Sequence, residues 1–141
     1  MRIAVVFFAT RRRAKLLKIT DALASGIASH GHQVDIIDGV RDINTKLTAY
    51  QYIVVGTESN TFWSGNISNK VSVFMSSAGR IIGKHCFAYV LKGGLFSQRA
   101  LMNLMNAMEH EGMYLHLSEV ISNVKEAREI GERLHVIPNP I

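Results

Sequence analysis

The residues best able to do chemistry in this sequence are concentrated near its start, where Arg11, Arg12, Arg13, Lys15 and Lys18 set five positive charges close together. The chain has 16 basic and 11 acidic residues, so setting those five aside leaves 11 basic residues and places the whole net charge of +5 at one address. A helix starting here presents unpaired backbone amides and the positive end of its dipole, which suits an anion. Guanidinium groups hold phosphate through paired hydrogen bonds. Cations at a helix N-terminus oppose the dipole by about 0.3–1 kcal/mol each when exposed, and an anion relieves that conflict. Two readings follow: the arginines hold a phosphate or another anion, or they project into water. Nucleic-acid or membrane contact is disfavoured because the patch is short and lacks interleaved aromatics.

Other chemistries find little support. The six histidines have no metal-ligand spacing, and His30 and His32 flank a glycine at a helix end where a cation suits the dipole. The lone Cys86 cannot form an intramolecular disulfide and reads as a small core residue, which points to a reducing compartment and a cytoplasmic protein. Neither a Gly-x-Ser-x-Gly elbow nor a Walker loop occurs, so nucleophilic hydrolysis and phosphoryl transfer are unsupported. Met102, Met105 and Met108 fall at helical spacing and read as core packing.

These residues must be positioned by ordinary globular elements. Hydrophobic residues make up 48% and charged residues 19%, a balance that argues against disorder, and no apolar run is long enough to span a bilayer. Residues 3–8 form a continuous apolar run, as a strand buried on both faces requires. A first helix is expected over 14–29 and a second strand over 33–37. A weak segment at 41–47 has room for one or two helical turns, and a third strand over 52–55 is capped by Gly56. Further helices are expected over 67–78, 97–111 with Ser97 as N-cap, and from Asn123 to about 135. The last of these carries the charge pairs Lys125–Glu129 and Glu129–Arg133. Strands four and five read as 85–91 and 113–117. Strands alternating with helices in one domain over 1–141 imply a parallel sheet covered on both faces. In such sheets ligands bind beyond the carboxyl ends of the strands, at the switch in strand order. That rule selects the loops 9–14, 56–66 and 92–96.

The order of these pieces resembles the flavodoxin-like flavoproteins over nearly the whole chain. Two segments are closest to the branch of tryptophan-repressor-binding-protein-like quinone reductases. The first is Gly56-Thr57 followed by Gly65-Asn66-Ile67 and residues 70–74. The second is Gly93-Gly94, the stripe from Leu101 to Met108, and His110-Glu111-Gly112-Met113; Gly83-Lys84 also fits. The resemblance implies an α/β, doubly wound, five-stranded parallel sheet in the order 2-1-3-4-5. It implies bound FMN, with the phosphate in the first loop and the ring between the second and third. The expected contacts are Thr10, Arg11, Arg12, Arg13 and Ala14 for the phosphate, and Thr57, Glu58, Ser59, Asn60, Thr61, Trp63, Lys92, Gly93, Gly94 and Phe96 around the ring.

Each of these has an alternative. Trp63, favoured over Phe62, stacks on the ring or plugs the core or an oligomer interface. The hydroxyl and amide side chains of the second loop bind ring oxygens or form a solvated turn. Gly93 and Gly94 let backbone amides approach a flat ligand, or simply turn the chain, with Phe96 over the ring or in the core. A Glu58 directed at the ring should lower its potential. The first loop departs from the family: Ala9-Thr10-Arg11-Arg12-Arg13-Ala14 lacks the usual glycine and most of the hydroxyls.

The implied function is an FMN-dependent electron carrier or a small quinone or flavin reductase, with a redox partner protein or a quinone as its counterpart and a homodimer as a family habit. The competing reading is a flavodoxin-fold module that has lost FMN and binds an anion or a partner protein through the arginine loop.

Overall fold

The computed structural model describes residues 1–59 and 64–134, excepting the side chains of 64–68 and of Leu95. Asn60, Thr61, Phe62 and Trp63 lie outside the described residues, as does the tail 135–141. The strands are β1 (Arg2–Phe8), β2 (Gln33–Asp38), β3 (Tyr52–Glu58), β4 (His85–Leu91) and β5 (Tyr114–Ile121). They form one parallel sheet ordered β2-β1-β3-β4-β5. The helices are α1 (Arg13–Ala28), α2 (Ser64–Ser76), α3 (Ser97–His110) and α4 (Val124–Arg133). No described helix is long and apolar enough to cross a membrane.

The pleat sorts each strand into two faces. Ile3, Val5 and Phe7 of β1 join Tyr52 and Val54 of β3 in a core with Leu16, Leu23 and Ile27 of α1 and Ala127 of α4. Ala4, Val6 and Phe8 join Ile53 and Val55 in a second core with Phe74 of α2 and Leu104 and Met108 of α3. Even-numbered residues of β3 therefore face α1. Continued upward, that file runs through Gly56 to Glu58. Gly56 leaves room for Tyr89, whose ring would lie 1.9 Å from an added Cβ.

Several boundaries differ from the sequence expectation. β3 does not stop at Gly56, because Thr57 and Glu58 continue the register against Phe8 and Leu91. Residues 41–47 form turns, not a helix. The Asp38 carboxylate accepts from the amides of Val40 and Arg41, and the buried Leu47 donates its amide to the Ala78 carbonyl. β5 extends to Ile121 across a bulge near Cys86 and Phe87 of its neighbour. Ser97 does not cap α3; its hydroxyl turns back to Gly93 after a 3-10 turn over Gly94–Phe96. Asn123 does cap α4, accepting from the Glu126 amide at 2.8 Å. Arg128–Glu132 is an ion pair on α4, whereas Arg133 turns its Nε to the Glu129 backbone carbonyl.

Candidate functional site

The carboxyl ends of β1, β3 and β4 bring the three selected loops together, and Glu58 stands at their junction. It is 1% exposed and ends the file of β3 residues that faces α1. Its carboxylate accepts the Thr10 hydroxyl and the Arg11 amide through Oε1, and the Arg12 amide at 3.0 Å to Oε1 and 2.9 Å to Oε2. Two of these donors are the backbone amides immediately ahead of α1, whose first turn has no acidic residue and whose N-cap, Arg12, supplies no side-chain bond. A carboxylate from a strand 46 residues away thus does what a local cap would do. It also neutralises the positive end of a helix that begins with Arg13, Lys15 and Lys18.

The side chains of Arg12 and Arg13 turn back onto the protein from the same loop, whereas Arg11 is exposed. Arg12 donates an Nη1 hydrogen to the Lys92 carbonyl at 3.1 Å, tying the first loop to the third. Arg13 pairs with Asp38 at 2.8 Å, and its guanidinium lies 5.5 Å from the centre of the Phe7 ring. Burial of Asp38 opposes its ionisation. The Arg13 bond, the amides of Arg41 and Val40 and the Arg13 charge together outweigh that and hold its carboxyl below the ordinary aspartate value. Ala14 lies instead on a groove beside Lys15 and Lys18.

Thr57, Ser59 and Gly93 are likewise bonded within the chain. The Thr57 hydroxyl donates to the Phe8 carbonyl at 2.8 Å, so it is directed along the sheet. The Ser59 amide bonds the Leu91 carbonyl and its hydroxyl donates to the Gly93 carbonyl. The Gly93 amide donates to the Ser97 hydroxyl at 3.1 Å. An added Cβ on Gly93 would lie 2.5 Å from Arg12 Nη1 and 2.8 Å from Ser59 Oγ, so this glycine permits loop-to-loop contact. Gly94 adopts φ +61°, where a side chain is disfavoured. Phe96 is 44% exposed and so is not a core residue.

The structure thus brings Thr10, Arg11, Arg12, Glu58, Ser59, Lys92 and Gly93 into one junction. It sends Arg13 to Asp38 and directs Glu58 at the first loop. One participant, Asp38, was missed from sequence, although an acidic residue closing an apolar strand was a weak signal for it. Glu58 was expected, but at the ring; the structure seats it instead on the first loop, for which a helix start without a local cap was the signal.

No protein-family model matches the chain. No curated protein sequence matches it. Solved structures do. A flavodoxin from the domain Archaea has 17% identity and a TM-score of 0.62, with 94% of each chain covered. Flavodoxin 1 from Bacillus cereus has 14% identity and a TM-score of 0.65, covering 92% of this chain and 94% of that one. A diflavin flavoprotein A3 from Nostoc sp. has 16% identity and a TM-score of 0.63, covering 94% and 90%. The class is thereby defined: this chain has the flavodoxin-like fold.

FMN, the cofactor the sequence resemblance implies, does not fit the first loop as it stands. A phosphate there would need the Thr10 hydroxyl and the Arg11 and Arg12 amides, and Glu58 already holds them. Two anions on one set of donors repel, and a buried carboxylate that loses its donors is costly.

Proposed function

We propose that this protein is a flavodoxin-fold module that works without FMN and binds a partner protein through the basic flank of α1. The observation that carries this reading is the Glu58 carboxylate on the donors that a phosphate would require. The stitching of the first and second loops to the third supports it, since Arg12 and Ser59 bond where a ligand would enter.

The flank follows from the charges left over. Lys15 and Lys18 are exposed and make no hydrogen bond or ion pair among the described residues. They border a groove of about 510 Å³ with Ala14, Ile19, Ser122, Asn123 and Val124. Free ammonium groups beside an apolar floor suit an acidic segment of a partner that also carries apolar side chains. Arg12 and Arg13 are engaged within the protein, by the Lys92 carbonyl and by Asp38, which moves the interaction surface one helical turn along α1 from the arginine loop.

FMN titration followed by Trp63 and flavin fluorescence tests the first half of the reading. The expected result is no saturable quenching up to high micromolar FMN. Saturable quenching with one-to-one stoichiometry would overturn it and favour the redox reading, with electron transfer or quinone reduction as the activity.

A further inference from the structure

We propose that Glu58 is a built-in anion: it sits in the first loop in place of a ligand's phosphate, and the loop keeps the donor set of an anion seat that this one side chain closes. The inference rests on the FMN-free reading above and concerns how that state is maintained.

The donor set comprises one hydroxyl and two consecutive backbone amides, Thr10, Arg11 and Arg12, converging on a single carboxylate. Consecutive amides ahead of a helix form a concave anion receptor whatever anion they receive. The receptor is embedded in positive charge, because Arg13, Lys15 and Lys18 follow and no acidic residue lies in the first turn of α1. Only one carboxylate among the described residues enters it. Asp38, the other buried acid at this end of the sheet, is engaged by Arg13, Arg41 and the amides of Val40 and Arg41. Glu58 is held by the sheet as well as by the loop, since it is paired in register with Leu91. Its carboxylate is therefore present at a very high local concentration, and a free anion competes poorly. Without that carboxylate, the amides and hydroxyl would lose their acceptor while the surrounding cations remained. The fold would then depend on an external anion of matching charge.

This dependence is directly testable by chemical rescue. Thermal unfolding of wild type, Glu58→Ala and Glu58→Gln would be compared in chloride and in inorganic phosphate at matched ionic strength. Glu58→Ala should melt about 5–10 °C below wild type in chloride, from the loss of charge-assisted hydrogen bonds. Phosphate should restore more than half of that loss while leaving wild type within 1 °C or so, as only the vacated loop can bind it. Glu58→Gln keeps an acceptor and its bulk, so it should fall less and recover less. If Glu58→Ala does not fold in chloride, folding on addition of phosphate is the same result. If it folds in neither, Glu58→Gln decides: a stabilisation by phosphate larger than that of wild type supports the seat, and an equal one overturns it. Equal phosphate effects on wild type and Glu58→Ala would overturn the inference, because phosphate would then be acting elsewhere. The FMN titration of wild type remains a separate arm: FMN binding there would overturn the FMN-free reading, whereas a failed rescue would remove only the seat.

Discussion

At the scale of single residues, the site is governed by where two carboxylates go. Glu58 reaches the start of α1, and Asp38 holds Arg13 over Phe7 near the carboxyl end of β1. The Asp38 carboxyl is held below its ordinary value, so its ion pair stabilises the fold fully above the unfolded aspartate value near pH 4. That contribution fades as pH falls through the lower folded value. Urea unfolding of wild type and Asp38→Asn should therefore differ most at neutral pH, with wild type more stable, and converge toward pH 2–3. A gap that widens on acidification would show that Asp38 is not ionised and paired in the fold.

Cys86 presents the opposite case. Burial first, and then the charge of Glu109, pushes its thiol up to about 12. Thiolate is the reactive form, so the native protein should react with a thiol reagent at pH 8 only as fast as it unfolds. Rapid labelling without denaturant would contradict that packing.

At the scale of elements, α1 and α4 meet backbone to backbone. A Cβ on Gly26 would lie 2.4 Å from the Arg128 carbonyl oxygen, and one on Gly131 would lie 2.4 Å from the Leu23 carbonyl oxygen. These contacts are with rigid backbone, so a methyl group at either position must separate the helices. Overpacking of this kind costs about 1–3 kcal/mol. Gly26→Ala and Gly131→Ala should each lower the urea midpoint by that equivalent, although alanine is the better helix former by about 1 kcal/mol. Unchanged or raised midpoints would mean that the helices do not cross at these glycines. The Asn123 cap is a smaller local matter: its replacement by alanine should cost about 1 kcal/mol.

At the scale of the whole molecule, charge segregation sets how the protein meets partners. The acids near the start of α1 are turned inward to the loop and to Arg13, while Lys15 and Lys18 stay exposed beside the groove. A labelled peptide of alternating glutamate and leucine residues should bind wild type in low salt and weaken as salt rises. The Lys15→Glu/Lys18→Glu variant should bind it at least about tenfold more weakly, measured by fluorescence anisotropy. Affinity indifferent to both salt and charge reversal would move the interaction surface off α1.

How much was legible in the sequence differs by level for physical reasons. Apolar runs such as residues 3–8 announce strands buried on both faces, and period-3.6 stripes announce the covering helices, so the parallel sheet and its order could be expected from pattern and resemblance. The rule that ligands bind beyond the carboxyl ends of strands selected loops that do converge. The segment 41–47 misled because the Asp38 carboxylate caps a turn at Val40 and Arg41, and because the buried Leu47 is fixed by a bond to Ala78, which is distant in sequence. Ser97 misled because a hydroxyl before an apolar helix is a good cap only if the preceding loop offers nothing better, and here Gly93 does.

What the sequence by itself determined is therefore the layered α/β frame, the location of its loops and the concentration of positive charge at the start of α1. These follow from local periodicity and composition, which any segment carries in its own residues. What only the tertiary structure decided is the fate of that charge. Glu58 is adjacent in sequence to Thr57 and Ser59, and nothing local distinguishes a carboxylate aimed at a ligand from one that replaces it. That choice depended on β3 continuing two residues past Gly56 and on the parity of the pleat, which puts residue 58 on the α1 side. It also depended on β1 and β3 being neighbours, so that the carboxylate meets the loop amides across the sheet.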